Sequence, residues 1–349
     1  MAGLASRRVP DHDVAVTGEF GRIDAFVRVA NAGRDTPPGG GGPGDDAAVL
    51  AVPPGERLVV SSDQTVEGVH FERAWLTWEQ IGYRAVAAAF SDLAAMAAAP
   101  LGCLISLALP PELDSRVIEE LAAGVRECLD LLDAPLLGGD LSASQHGVFM
   151  DVTVLGHAAS PVLRSGAEAG DELWLTGNIG GAGAAIEARQ RGLEPDPAAR
   201  QAFERPQPRI QVARWLAENA VIHAMIDLSD GLAGDAGHLS AASRAQLRFE
   251  LTSLPLAEPL AQYADREAAW RMAISGGEDY ELLISAAPGT VEPLRQEALR
   301  AYGVSLTRVG EVGSVALEAG GEEAALVWLG EDGLVWDAPA TGYQHFGAE

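Results

Sequence analysis

Acidic residues recur beside short apolar runs along the whole chain, and this pattern is the one best suited to chemistry. Carboxylate oxygens are hard ligands that suit Mg²⁺, which proteins hold with one or two carboxylates together with substrate phosphates and water. Taken singly, each position is explained better as a turn-forming or helix-capping acid. Taken together they favour a site that holds several metal ions. The recurring acids are Asp45, Asp46, Asp63, Asp140, Asp227, Asp230, Glu278 and Asp279.

Asp92 is a separate case because it lies inside the apolar segment AVAAAFSDLAAMAAAP. Burial of a carboxylate is costly unless a cation or hydrogen-bond donors compensate its charge. Two interpretations stay open from the sequence: Asp92 binds a metal ion, or it caps a break in the helix or faces solvent. His70, in VEGVHF, is equally ambiguous, since a lone histidine is more often structural than catalytic.

All 24 basic residues are arginines, and the chain contains no lysine. This excludes Schiff-base chemistry. It also excludes the P-loop and the protein-kinase scheme in their standard forms, because both need a lysine at the phosphates. Any phosphate chemistry must therefore use arginine, backbone N–H groups or metal.

The net charge of −26 opposes contact with nucleic acid or an anionic membrane, so we expect neither as a partner. For the charge as a whole, solubility alone is the favoured interpretation. Cys103 and Cys128 lie in apolar surroundings without metal-ligand spacing, which predicts buried, inert thiols and a reducing cytoplasm. We find no signal-peptide core and no apolar stretch typical of a membrane span.

The elements that must position these acids divide into two predicted domains, at 18–157 and 158–349. A chain of 349 residues is too long for one small hydrophobic core. The polar stretch at 158–170 is the predicted crossing. The second domain is predicted to begin with a strand at 172–176 and a glycine-rich turn at 177–183 that enters a helix. This turn matches GxGxxG only loosely and lacks a following βαβ unit, so we predict a structural turn rather than a cofactor site.

In the first domain, Thr77 and Gln80 have the spacing of a capping box and open an alanine-rich helix that runs to about Ala98. Apolar runs predict the strands, and glycine clusters predict the turns. These further elements are a loop at 35–45, strands at 57–62 (ending at Asp63), 103–109 and 148–157, and a turn at 138–140.

Eight motifs, in this order, resemble the thiamine-monophosphate kinase family and together span nearly the whole chain. They are GDDAAVL (44–50), SSDQTVEGVHF (61–71), SDLAAM (91–96), GGD (138–140), RSGA (164–167), DLSDGL (227–232), SGGEDYEL (275–282) and GYQHF (342–346). That family belongs to the aminoimidazole-ribonucleotide synthetase superfamily. The resemblance implies a two-domain α+β / α/β, PurM-like fold, in which an N-terminal domain dimerises through its β-sheet and a C-terminal α/β domain completes the site.

The resemblance also implies an activity, ligands and residue roles. It implies Mg²⁺-dependent transfer of the γ-phosphoryl group of ATP to thiamine monophosphate, without a protein nucleophile, in a cytoplasmic homodimer. The implied Mg²⁺ sites contain Asp46, Ser61, Ser62, Asp63, Asp92, Asp140, Asp227 and Asp230. The implied ATP contacts are Gly139, Asp140, Arg164 and Ser229, and the implied thiamine monophosphate contacts are His70, Glu278 and Tyr343. Asp45 and Asp279 are left as supporting residues.

Alternatives from the same superfamily and from other classes remain. Selenophosphate synthetase normally needs an N-terminal reactive cysteine and a lysine, and the hydrogenase maturation factor needs a C-terminal cysteine; the chain has none of these. A binding protein that kept the fold and lost turnover is favoured by Leu141, which stands where the family usually has threonine. The large number of acidic motifs favours the kinase.

Overall fold

The computed structural model describes residues 19–34, 42–43, 45–262, 265–316 and 325–338, and two β-sheets organise it. Within these ranges, no helix is both long enough and apolar enough to cross a membrane. The first unit contains the helices α1 (Glu19–Ala30), α2 (Trp78–Ala95) and α3 (Ser115–Leu132) and the strands β1 (Arg57–Val66), β2 (Ala99–Leu109), β3 (Leu136–Ala143) and β4 (Phe149–Ala158).

The first sheet has the strand order β1-β4-β2-β3, and only the β2–β3 pair is parallel. Side chains alternate between its faces, so that Met150, Val152 and Val154 are buried beneath α2. On the opposite face, Val60 is 54% exposed. The sheet therefore has one face covered by α2 and α3 and one face that is largely open.

The second unit is built on a six-stranded sheet of order β10-β7-β9-β5-β8-β6, in which only the β10–β7 pair is parallel. Its strands are β5 (Glu172–Thr176), β6 (Ile222–Asp227), β7 (Ala245–Glu250), β8 (Leu282–Ala286), β9 (Leu306–Ala316) and β10 (Leu326–Leu329). Its helices are α4 (Gly181–Gln190), α5 (Pro197–Glu204), α6 (Ile210–Asn219), α7 (Leu232–Ser243), α8 (Glu258–Ala261), α9 (Arg266–Ser275) and α10 (Arg295–Tyr302).

Helix α2 joins the two units, because it packs on β1 and β4 and also contacts β6 and α6. Its other neighbour is α3, and the two helices approach closely at Gly124. A Cβ atom built at Gly124 would lie 1.8 Å from the Glu79 carbonyl oxygen. Only glycine permits this approach, which fixes the helix that carries Asp92 at the junction of the units.

Several sequence predictions are confirmed, and two are wrong. The capping box at Thr77 and Gln80 is present, and the strand at 172–176 has the predicted bounds. Strand β1 continues to Val66, so Asp63 lies within the strand and not at its end. Most of the predicted loop at 35–45 lies outside the described residues.

The predicted turn at 138–140 is instead part of β3. Gly139 serves close strand pairing, because a Cβ atom there would lie 1.9 Å from the Ile105 carbonyl oxygen on β2. A glycine pair reads as a turn in the sequence, whereas here it is needed for a close backbone approach.

Candidate active site

A central cavity of about 660 Å³ lies between the two units. The first unit contributes α2, β1 and the segment after β1, and the second contributes α4 and the loops at 228–231 and 276–281. Acidic and polar side chains line one part, and apolar side chains line another. The predicted site residues on its wall are Asp63, His70, Asp92, Asp227, Ser229, Asp230 and Glu278, and the larger apolar residues are Phe71, Trp75, Ile186, Phe203, Met272 and Tyr280.

Asp92 reaches this cavity from the middle of α2. The helix continues without a break to Ala95, so the interpretation of Asp92 as a cap is wrong. Its carboxylate accepts a hydrogen bond of 2.5 Å from the Ser61 hydroxyl on β1. Asp92 is half-buried and lines the cavity, so its carboxylate is accessible from the cavity, and its metal-binding role stays a prediction.

Two loops of the second unit are bound to each other by backbone hydrogen bonds. The Glu278 N–H donates to the Ser229 carbonyl at 2.7 Å, and the Tyr280 N–H donates to the Leu228 carbonyl at 2.8 Å. Glu278 and Tyr280 both adopt left-handed backbone conformations, with φ of 68° and 51°. Such conformations cost free energy and persist only where the surroundings impose them, often at functional sites. The loops thus hold Ser229 and Glu278 in a fixed relation.

In the acidic part of the cavity, burial and neighbouring negative charges raise the pKa values of several carboxyl groups. Burial, and then the charge of Asp92, raises the pKa of Asp63 to about 6 and that of Asp227 to about 7. Burial, followed by the charges of Asp227 and Asp230, raises the pKa of the adjacent Asp235 to about 8. The positive charge of Arg164 lowers the pKa of Asp227 and thereby partly offsets these effects. A site of this kind binds cations favourably.

The donor set fits Mg²⁺ in the form in which proteins share it with a substrate. Among the described residues, no group of three or more His, Cys, Asp or Glu side chains is arranged as a ready metal cage. Mg²⁺, however, commonly takes only one or two carboxylates and completes its octahedron with phosphates and water. The mutual repulsion of Asp63, Asp92 and Asp227 is what such ions would relieve.

Other predicted site residues lie on the open face of the first sheet. A second cavity of about 670 Å³, here the sheet-face cavity, is lined by Asp46, Gly139 and Asp140 and also by Asp45 and Thr153. The Ser62 hydroxyl lies on the same face, where it donates to the Asp151 carboxylate at 2.8 Å and lies 2.8 Å from the Thr153 hydroxyl. Ser61 and Ser62 therefore serve opposite faces of β1.

A third concavity of about 430 Å³, here the Arg164 groove, contains Ser61, Asp92, Leu163, Arg164 and Ser165. Arg164 is exposed on the segment that connects the two units. Asp92 lines both this groove and the central cavity. Two ligands can therefore approach Asp92 from different sides.

The remaining predicted residues have distinct positions. His70 lines the central cavity, and its Nδ1 accepts a hydrogen bond of 3.0 Å from the Val66 N–H. Tyr343 lies outside the described residues. The Asp279 carboxylate accepts from the Gly180 N–H at 2.7 Å at the start of α4. That helix terminus, where a dinucleotide phosphate would lie, is occupied by a side chain of the same protein.

Two residues of the site were missed by the sequence analysis. Arg84 on α2 is buried and forms an ion pair with Glu278. Asp235 on α7 is buried and accepts a hydrogen bond of 3.1 Å from the Asp230 N–H. Each is a lone charge in an otherwise apolar helical segment. The same pattern indicated Asp92 as a candidate site residue, and it would have indicated Arg84 and Asp235 too.

Comparisons with known proteins identify the family of this chain. The family models for the AIR synthase related protein match residues 44–158 with the N-terminal domain and residues 168–319 with the C-terminal domain. The thiamine-monophosphate kinase of Rhodopirellula baltica is 36% identical over 284 residues, which cover 78% of this chain and 83% of that protein.

A second relative and a solved structure extend the match to nearly the full length. The thiamine-monophosphate kinase of Escherichia coli K12 is 33% identical over 328 residues, covering 90% of this chain and 98% of that protein. The structure of AaThiL complexed with AMPPCP and TMP has a TM-score of 0.72 at 28% identity, covering 94% of this chain and 97% of that one.

Proposed function

This chain belongs to the family of thiamine-monophosphate kinases, and we propose that it transfers the γ-phosphoryl group of ATP to the phosphate of thiamine monophosphate. The products are thiamine diphosphate and ADP. The observation that carries the proposal is the position of Asp92 on both the central cavity and the Arg164 groove. Two phosphorylated ligands that enter from these sides meet at its carboxylate.

The central cavity is the proposed site of thiamine monophosphate. Its apolar wall, with Phe71, Trp75 and Met272, suits the two heteroaromatic rings, which gain by burial against aromatic side chains. Its acidic part suits the positive charge of the thiazolium ring, and Glu278 is the proposed contact. His70 is the proposed second contact, and Tyr343 stays a predicted third one.

The Arg164 groove is the proposed site of the ATP phosphates. In a chain without lysine, the planar guanidinium of Arg164 supplies a two-pronged donor that matches a phosphate. Ser229, a further proposed ATP contact, lies on the wall of the central cavity and precedes the N-terminus of α7, where backbone N–H groups favour an anion. Gly139 and Asp140, the other proposed ATP contacts, lie in the sheet-face cavity.

The proposed Mg²⁺ ligands share oxygen donors and nearby negative charge. When bound, the ions supply charge neutralisation and alignment of the two phosphates. On the central cavity the carboxylates of Asp63, Asp92, Asp227 and Asp230 hold these positions, with the Ser61 hydroxyl bound to Asp92. On the sheet-face side the proposed ligands are Asp46, Ser62 and Asp140.

Direct in-line transfer is proposed, with no phosphorylated protein intermediate. A phosphate monoester has a second pKa of about 6, so the acceptor oxygen is largely ionised at neutral pH and needs no strong general base. The protein then has to position two polyanionic ligands and to reduce the electrostatic repulsion between them. The fixed loops at 228–231 and 276–281 support this role.

We also propose that the protein acts as a homodimer in the cytoplasm. The open face of the first sheet exposes Leu58, Val60 and Leu104, and exposed apolar side chains on one face commonly mark an interface. A second copy of the chain is the proposed occupant. The two buried free cysteines are compatible with a reducing compartment.

A binding protein without turnover is the second candidate function. It is favoured by Leu141, a partly buried apolar residue beside Asp140 on the wall of the sheet-face cavity. The two functions differ in one product: only the kinase makes thiamine diphosphate.

The test is to incubate the protein with Mg²⁺, ATP and thiamine monophosphate and to quantify thiamine diphosphate and ADP. We expect equal amounts of the two products, and no ADP when thiamine monophosphate is omitted. Tight binding of both ligands without either product would replace the kinase with the second candidate. ADP with free phosphate and no thiamine diphosphate would contradict both.

A further inference from the structure

Arg84 is a buried cation in the middle of the helix that joins the two units. Its side chain is only 7% exposed. It lies on the small-residue side of α2 that also carries Asp92, two turns further along. A charged side chain buried in this way requires partners that compensate its lost hydration.

Three contacts, all with the second unit, hold the Arg84 guanidinium. Nη2 donates to the Glu278 carboxylate at 2.5 Å, and Nη1 donates to the Phe203 carbonyl oxygen. The guanidinium also lies over the Phe203 ring, 4.1 Å from its centroid. Two N–H donors and one face of the guanidinium are thus held together. This combination suits the planar guanidinium of arginine and not the ammonium of lysine.

Glu278 needs a partner of this kind. It lies on the wall of the central cavity with Asp63, whose negative charge opposes its own. Its backbone is held by the bond to Ser229 in a left-handed conformation, but that bond does not set the direction of the carboxylate. The ion pair with Arg84 does.

Arg84 does not line the central cavity itself; it borders a small adjoining pocket of about 30 Å³ with Glu278 and His70. The Arg84 guanidinium is bound to Glu278 and Phe203, and Arg84 is not among the residues that line the large cavity. Any effect on substrate must therefore pass through Glu278.

We propose that Arg84 is a positioning residue: it reaches from the first unit to orient the Glu278 carboxylate toward the acceptor substrate. This inference rests on the proposed function of the central cavity as the thiamine monophosphate site. It also means that the substrate site is completed only when the two units are docked, because the residue that sets the Glu278 orientation belongs to the other unit.

The test compares Arg84→Met, Arg84→Lys, Glu278→Gln and the double variant Arg84→Met/Glu278→Gln. The matched control is Arg205→Met, because Arg205 also joins the units, through Glu127 at 3.1 Å and the face of Tyr83, without lining the central cavity. The measurements are the KM for each substrate, and the Kd of thiamine monophosphate from quenching of tryptophan fluorescence, for which Trp75 lies on the cavity wall.

We expect Arg84→Met to raise the KM and Kd for thiamine monophosphate at least about tenfold, the effect of losing a charged hydrogen bond. The KM for ATP should stay within about twofold of wild type, because that ligand binds elsewhere. Arg84→Lys keeps the charge and is the variant to use where Arg84→Met does not fold. Its KM and Kd for thiamine monophosphate should lie between those of the wild type and of Arg84→Met. The double variant should bind no more weakly than Glu278→Gln.

Equal increases in both KM values would overturn the inference, as would the same change in Arg205→Met or an unchanged Kd in folded Arg84→Met or Arg84→Lys. A wild-type protein that makes no thiamine diphosphate would instead overturn the proposed function. The two failures are therefore distinguishable.

Discussion

Asp92 is the residue on which the proposed chemistry depends most, because it is shared by both ligand-binding concavities. Asp92→Asn keeps the size of the side chain and its ability to accept from Ser61, but removes the charge. We expect kcat to fall at least about a hundredfold, since metal-placing carboxylates support the whole transition-state charge. Thermal stability should be maintained or increased, because one repulsive charge is lost beside Asp63 and Asp227.

The matched control is Glu120→Gln, the same change on the exposed side of α3 in an i,i+4 pair with Arg116. It should leave kcat unchanged. Steady-state assays and thermal melts of both variants check the prediction. Full activity in Asp92→Asn would remove the metal assignment.

At this scale the sequence singled out several acids that lie on the wall of the central cavity, and there is a physical reason for this. Carboxylates beside apolar runs are costly unless they have a use, so Asp92 and Asp227 can be recognised without a structure. Arg84 and its partner Glu278 are 194 positions apart along the chain. No local pattern encodes such a pair, and only the docking of the two units reveals it.

The loops at 228–231 and 276–281 act as one element, and glycine makes their contact possible. A Cβ atom at Gly277 would lie 2.5 Å from the Ser229 carbonyl oxygen. We expect Gly277→Ala to push the loops apart and to lower kcat/KM by at least about tenfold, since displacements near 1 Å at a site cost about this much or more.

Gly237 on α7 provides the comparison, because a Cβ atom there meets open space. Gly237→Ala should leave kcat/KM unchanged and stabilise the protein by about 0.5–1 kcal/mol, the ordinary gain of alanine over glycine in a helix. Enzyme assays and urea unfolding measure both effects. A fully active Gly277→Ala would show that the two loops tolerate separation.

The contact of Asp279 with the start of α4 predicts a pH dependence of stability. Burial raises the Asp279 pKa from 3.8 to about 8, despite opposing hydrogen bonds from the helix N–H groups. The native state therefore keeps a proton that the unfolded chain releases between these values. Its contribution to the free energy of unfolding is fully present below about pH 4 and is lost as pH rises through about 8.

Asp279→Asn removes this titration and leaves the other groups in place. The difference in unfolding free energy, wild type minus variant, should fall from about pH 5 to about pH 8 and level off above that. Denaturant titrations at several pH values measure it. A difference that is constant, or that rises with pH, would show that Asp279 is charged in the native state across the whole range.

At the level of elements, the sequence predicted helix α2 and the strands β1, β2, β4 and β5, whereas it did not predict the role of glycine. Capping and periodicity are local, so α2 and β5 could be predicted closely. Close backbone approach is not local, and for this reason the glycines of β3 were taken for a turn.

For the whole molecule, the open face of the first sheet leads to a prediction about assembly. Val60 is 54% exposed on that face, and Val221, on the second unit, is 51% exposed. If this face binds a second copy of the chain, Val60→Arg should give a monomer, because it buries a charge in the interface. Val221→Arg should leave the dimer intact, because Val221 lies outside that face. Sedimentation velocity distinguishes the two, and a dimeric Val60→Arg would place any interface elsewhere.

The central claim is that this molecule moves a phosphoryl group directly between two ligands that meet at Asp92. The most direct measurement is a single turnover with γ-labelled ATP, thiamine monophosphate and Mg²⁺, in which the label is followed in each product and on the protein. We predict that the label passes one for one into the terminal phosphate of thiamine diphosphate in the wild-type protein, does not do so in Asp92→Asn, and is never bound to protein. Label in free phosphate or on a side chain, without labelled thiamine diphosphate, would contradict the claim.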